Sequence, residues 1–307
     1  MNAVLGKIRD LIQEDIGRRG LATDPSQNLF TECSGDFVAA CQIIAEAPQP
    51  KLAIVTGFYI YHAQMGETDG PPGALFLARA LTPLGIQVML ATDSFCALAL
   101  EAGLNACHLE KDVGLITLPT PTLAANMQKK DYWQEFANRA GRISHLIALE
   151  RAGPNYAHRC LSMRGLDITE KMSPAHLLFE AAVYENTRTI GIGDGGNEIG
   201  MGKIHRDIIG RNIPKGDLVA CRVSTDHLIV SGISNWGAYG LAAGVRLLRG
   251  ESNAGELFDP QKERELLQIM VERGPLVDGV TGQQTATVDG IDFVRYGNKL
   301  RQLADIQ

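Results

Sequence analysis

The sequence predicts an α/β fold: a doubly wound, mostly parallel sheet with helices on both faces, Rossmann-like in layout. Three observations predict it. Short apolar, β-branched runs recur along the chain, and stretches of helical periodicity separate them. The runs are apolar throughout rather than alternating, as strands covered on both faces are. Glycines, acids and hydroxyls gather directly after the runs, where open α/β sheets bind their ligands.

The elements follow in order. Residues 1–19 combine Lys7, Arg9, Asp10, Glu14 and Asp15 with an apolar stripe at Val4, Ile8, Leu11, Ile12 and Ile16. That pattern is an amphipathic helix, and its acids argue against a signal or transit peptide. Residues 52–56 form a first strand, followed by a long loop and a helix over 73–84. Residues 86–91 form a second strand and 94–102 its helix. Residues 106–118 add a short strand or two. Residues 145–149 and 189–192 are the third and fourth strands, each after a helical stretch. Residues 218–223 make a fifth strand, followed by a helix over 228–245. This last segment carries no charge for eighteen residues, enough to span a bilayer. Ser231, Ser234, Asn235 and four glycines within it point instead to a helix packed closely on the sheet. Residues 261–273 form a helix stopped by Gly274 and Pro275. Residues 277–289 form a loop, and 291–303 a final amphipathic helix. One α/β domain over 1–307, with terminal helices packed on it, is the predicted organisation.

Composition narrows the function. Of 307 residues 45% are apolar, enough for a sizeable core, and 29 basic against 35 acidic residues give a net charge of −6. No basic stripe interrupts that balance, and aromatics are only 6%, so no nucleic-acid partner is expected, nor, given the small residues of 228–245, a membrane. Cys33, Cys41, Cys96, Cys107, Cys160 and Cys221 show no C-x-x-C pair. Buried thiols in a reducing cytoplasm are the expectation.

The most informative stretch is residues 191–202, Gly-Ile-Gly-Asp-Gly-Gly-Asn-Glu-Ile-Gly-Met-Gly. A buried strand leads into it, and the glycines turn the chain and clear space for a visitor. Read literally it matches the G-x-G-x-x-G dinucleotide fingerprint. Asp194, however, is anionic where a pyrophosphate would meet a helix N-terminus, and no Lys follows in P-loop spacing. A carboxylate among glycines suits a cation, an ammonium group or a proton transfer. No nucleotide is expected.

The ends of the predicted strands strengthen this reading. Thr56 and Gly57 end the first, whose loop carries Glu67 and Asp69. Thr92 and Asp93 end the second, Glu150 and Arg151 the third, Gly193 and Asp194 the fourth, and Thr225 and Asp226 the fifth. Asp93 and Asp226 equally suit helix N-caps. Acids brought to one edge repel and call for a cation or a shared proton. Oxygen ligands favour a hard divalent ion, Mg²⁺ or Mn²⁺. Arg151 and Arg164 can grip a carboxylate bidentately, or pair with one of the acids.

With these motifs quoted, the chain resembles the D-glutamate cyclase C-terminal-domain family (DUF4392). The resemblance rests on residues 55–57, on Glu-Thr-Asp-Gly-Pro-Pro-Gly-Ala at 67–74, and on 92–93. Glu-Arg-Ala-Gly-Pro-Asn at 150–155, the glycine motif at 191–202, and residues 278–281 and 287–290 complete it. It implies conversion of D-glutamate to 5-oxo-D-proline with loss of water, and an α/β fold. Two-domain members carry an additional N-terminal domain for which 307 residues leave no room. A separately encoded partner domain and a homo-oligomer therefore stay open as partners beside a small acidic amino acid.

Cyclisation needs a base for the amine and stabilisation of charge on the carboxylate. Asp194, Glu198 and Asn197 are assigned to catalysis, and Glu67, Asp69, Asp93 and Asp194 to the cation. Gly193, Gly195, Gly196, Thr56, Gly57, Arg151, Asn155 and Arg164 are assigned to the substrate. The alternatives are a non-catalytic small-molecule-binding subunit or sensor and a nucleotide-dependent α/β enzyme.

Overall fold

The computed structural model describes residues 1–253 and 255–306. Its centre is a sheet of six parallel strands with a two-stranded antiparallel hairpin beside it. The strands are β1 (Lys51–Thr56), β2 (Tyr59–Ile60), β3 (Met65–Gly66), β4 (Gln87–Thr92), β5 (Gly114–Thr117), β6 (His145–Leu149), β7 (Arg188–Gly193) and β8 (His227–Val230). The order in the large sheet is β5-β4-β1-β6-β7-β8, and β2 pairs with β3. The chain winds outward from β1 through β4 and β5, then returns to place β6 on the other flank of β1. This is the doubly wound, Rossmann-like order, with its switch point between β1 and β6.

Alternation within β1 shows why the runs are apolar throughout. Leu52 and Ile54 enter the core layer under the helices Pro71–Leu81 and Ser234–Leu248, beside Leu77 and Trp236. Ala53 and Val55 enter the opposite layer, beside Trp133 of Lys129–Ala140 and Leu178 of His176–Ala182. Both faces are therefore buried, and each side chain along the strand has an apolar neighbour layer to fill.

The terminal helices close one face. Asn2–Ile12 lays Leu5, Ile8 and Ile12 against Ser234–Leu248, where Gly240 and Gly244 permit the approach. A Cβ at Gly240 would lie 3.0 Å from Ile12, and one at Gly244 would lie 2.5 Å from the Cys41 sulfur. The small residues of this helix are packing residues. Among the described residues, no helix is long and apolar enough to cross a membrane.

Two element expectations are corrected. Residues 218–223 are not a strand: Gly216–Val219 is a short helix, and Cys221 and Ser224 make only isolated bridges. The last strand is instead β8, taken from the front of the segment read as helix, and the helix proper begins at Ser234. Asp226 consequently lies at the amino end of β8, opposite the predicted site. Its carboxylate accepts the amide and hydroxyl of Thr189.

Candidate functional site

The carboxyl ends of β1, β6 and β7 meet at the switch point, and the loop after β3 folds over them. Gly70 makes that fold possible. Its φ of 97° and its tight contacts exclude a side chain, since a Cβ would stand 2.6 Å from Thr56 Oγ1 and 2.9 Å from Glu150 Cβ. The loop thus delivers Asp69 beneath the amino end of Ser234–Leu248. The Asp69 carboxylate accepts the amides of Ser234 and Asn235, both at 2.8 Å. An anion there meets unpaired N–H groups and the positive end of the helix dipole. Asn235 completes the clasp, its Oδ1 accepting the amides of Gly70 and Gly73 at 2.9 and 2.8 Å.

Glu150 follows β6, and its Oε2 accepts the Ser234 hydroxyl at 2.5 Å. Asp194 follows β7 and is fully buried. Arg19 donates to its Oδ1, while its Oδ2 has no hydrogen-bond partner among the described residues. Ligand oxygens of Asp69, Glu150 and Asp194 lie within 4.8 Å of one another. Three buried carboxylates this close repel, and an oxygen-only donor set with one orphaned buried oxygen fits a hard divalent cation.

The electrostatics agree. Burial, then Asp289, pushes the Asp69 carboxyl up to about 7. Burial likewise raises Glu67, Glu150 and Asp194 well above the usual carboxylate range, and neighbouring acids add to it. Arg19 is the cation that opposes them. It pairs with Asp194 and, at 2.6 Å, with Asp289. Its burial works against its charge, but Asp194, Asp289, Glu150 and Asp69 outweigh that and raise its pKa. Beside this group opens a cavity of about 260 Å³, lined by Arg19, Tyr59, Glu67, Glu150, Arg164 and Asp289 among others.

The structure brings together only part of the predicted site. Asp69 and Asp194 stand in the triad, and Glu67 and Arg164 line the cavity. Thr56 sits beneath Gly70, its buried hydroxyl without a partner among the described residues. Asp93 is not in the triad. It pairs with Arg151 and accepts the Ser173 amide at 2.6 Å, with no capping bond to the helix that follows. Arg151 is fully buried and donates besides to the carbonyls of Gly57 and Ser173, so its guanidinium is committed to the protein. Asn155 organises its own loop, accepting the amides of Ala157 and Arg159 at 2.9 and 3.0 Å.

The glycine loop is held from within. Glu198 accepts the amides of Asp194, Gly195 and Gly196 at 2.9, 2.6 and 2.6 Å. The nest that a dinucleotide fingerprint would offer to a pyrophosphate is thus filled by the chain's own carboxylate. Gly193 stays in β7, its carbonyl accepting the Ser231 amide, and Asn197 donates to the Leu161 carbonyl at 2.7 Å. Asn197 Oδ1 is buried without a hydrogen-bond partner among the described residues.

Sequence reasoning left Arg19, Ser234, Asn235 and Asp289 unassigned, and quoted Glu150 without a role. Asp289 falls within a motif carrying the family resemblance. For Arg19, nothing in periodicity or spacing sets it apart from the other basic residues.

Residues 8–304 match the family described as D-glutamate cyclase-like, C-terminal. The chain is 30% identical over 332 aligned positions to the human D-glutamate cyclase, mitochondrial. That alignment covers 98% of this chain and 52% of the human protein, so the chain spans about half the length of this relative.

Proposed function

From the premise that this chain belongs to the D-glutamate cyclase-like, C-terminal family, we propose that it converts D-glutamate to 5-oxo-D-proline and water. The observation that carries the reading is the buried triad of Asp69, Glu150 and Asp194, open on Asp194 Oδ2 and adjoining a cavity of amino-acid size. The triad would hold Mn²⁺ or Mg²⁺, which when bound offsets the crowded charge and polarises a carboxylate oxygen.

The reaction joins the α-amine nitrogen to the γ-carboxyl carbon, and one carbon–oxygen bond breaks. The ammonium must lose one proton before it attacks and a second as the amide forms, and the departing oxygen must gain both to leave as water. Asp289 and Glu67 flank Gly279 at the cavity: a Cβ there would lie 3.5 Å from Asp289 Oδ1 and 2.0 Å from Glu67 Oε2. Asp289, paired with Arg19, accepts the ammonium proton. Glu67, whose carboxyl burial and Asp289 push up, donates to the departing oxygen. Asp289 passes each of the two nitrogen protons to Glu67, which delivers it to the departing oxygen, so turnover takes up none. Glu198 and Asn235 act as positioning residues, one fixing the loop of Asp194 and the other the loop of Asp69.

Incubation of the purified protein with D- and L-glutamate tests this, with Mn²⁺, with Mg²⁺ and after chelation. Chiral chromatography follows 5-oxoproline. Product from the D-isomer that chelator abolishes supports the reading. A folded protein that forms none under any condition overturns it.

A further inference from the structure

Arg19 is built into the site from outside the sheet. It lies in the segment after the first helix, and that segment is fixed at several points. The Asp15 carboxylate accepts the amides of Arg19, Gly20 and Leu21 at 2.8, 2.9 and 3.1 Å. Thr23 donates to the Asn212 carbonyl at 3.1 Å, and the Asp24 amide donates to Asn212 Oδ1 at 2.7 Å. The guanidinium is therefore held before any ligand arrives, which reduces the entropy lost on binding.

Its bonding is incomplete. A guanidinium carries five N–H donors. One nitrogen is paired with Asp194 and the other terminal nitrogen with Asp289, and the side chain still lines the cavity at 19% exposure. The other basic residues lining this cavity are His62 and Arg164. Arg164 lies at the exposed side, donating to the Val280 carbonyl. The acids of the lining are Glu67, Glu150 and Asp289, set among apolar side chains such as Phe58 and Ile60. Among the side chains lining that part of the cavity, Arg19 is the cation that an entering carboxylate meets between these acids.

We propose that Arg19 is the specificity-determining residue for the carboxylate that undergoes attack. Its open N–H donors receive the γ-carboxylate, so the site selects a dicarboxylic amino acid over the corresponding γ-amide. This inference rests on the cyclase reading above. Arg164, at the mouth, is left for the α-carboxylate. A charge-assisted hydrogen bond in a partly buried setting is worth enough to produce a preference of about tenfold or more.

The test compares binding of D-glutamate and D-glutamine by calorimetry, in the presence of Mn²⁺, to the wild type, Arg19→Met and Arg19→Lys. Far-ultraviolet dichroism and thermal unfolding check the fold. The wild type is expected to prefer D-glutamate by about tenfold or more. Arg19→Met should lose most of that preference while its affinity for D-glutamine moves by less than about threefold. Arg19→Lys keeps the charge without the planar fork and should fall between the two. If Arg19→Met does not fold, the drop in Arg19→Lys decides the matter. An unchanged preference in a folded variant overturns the role of Arg19 and leaves the cyclase reading standing. A wild type that binds neither compound overturns the cyclase reading, and this inference with it.

Discussion

Asp69 and Asn235 hold each other across the mouth of the sheet. The Asn235 amide donates to Asp69 Oδ1 at 2.8 Å, and Asn235 Oδ1 accepts the amide of Gly70, the residue following Asp69, at 2.9 Å. One residue thus sets both the acid and the backbone that carries it. Asn235→Ala strands the amide of Gly73 and the carbonyl of Thr68 in a buried place, and leaves the Gly70 amide with Asp69 Oδ1 alone. Urea unfolding should show a loss of roughly 2–4 kcal/mol, and cyclase turnover should fall with it. A variant as stable as the wild type would contradict the clasp.

Glu198 fills the glycine nest with both oxygens, two amides on one and one on the other. Glu198→Gln keeps the size and replaces an acceptor with a donor facing an N–H. Destabilisation by about 1.5–3 kcal/mol is expected, together with lower kcat from a displaced Asp194. Wild-type stability in this variant would mean that the nest has no need of its anion.

Arg151 discriminates a structural role from a substrate role. Fully buried and paired with Asp93, it leaves an unpaired carboxylate behind when removed. Arg151→Met should lose about 3–5 kcal/mol in stability. The protein that remains folded in the cold should keep its KM for D-glutamate within about threefold, because Arg151 does not line the cavity. A large rise in KM without loss of stability would return Arg151 to the substrate.

The acid cluster gives stability a pH dependence of definite sign. The Asp69 carboxyl titrates at about 7 in the folded protein and near about 3.9 when unfolded. Between those values the folded state binds the extra proton. Its contribution is therefore full below about 3.9 and is lost as pH rises toward about 7, then level above. Glu67, Glu150 and Asp194 shift in the same direction. A divalent cation restores what ionisation removes. Mn²⁺ should raise the unfolding temperature more at pH 8 than at pH 5, measured by scanning calorimetry, and chelator should abolish the difference. Equal shifts at both pH values would place the ion elsewhere.

Much of the architecture is legible because each buried strand is a short apolar run followed by a polar end. β1, β4, β6 and β7 are of this kind, and their ends supply Thr56, Asp93, Glu150 and Asp194. β8 is not legible, since Leu228, Ile229 and Val230 run into a longer apolar stretch with no break that periodicity can see. Residues 218–223 mislead for the converse reason: apolar residues there cover a short helix and isolated bridges. Within the site, Asp69 and Asp194 are legible from the motifs that hold them. Arg19 reaches Asp194 across 175 positions of sequence, and Ser234 reaches Glu150 across 84. Such pairings are products of tertiary folding and leave no local pattern. Arg151 has two readings in the sequence; in the structure it is buried and paired with Asp93.

The most direct test of the central claim is steady-state turnover of D-glutamate by Asp194→Asn beside the wild type, at saturating Mn²⁺ and with folding checked by thermal unfolding. Asp194 is the triad member with a buried oxygen that has no partner among the described residues, and the amide keeps its shape while removing its charge. A folded variant whose kcat/KM falls by about a hundredfold or more is the predicted result. A folded variant within about threefold of the wild type would contradict a reaction centred on these carboxylates.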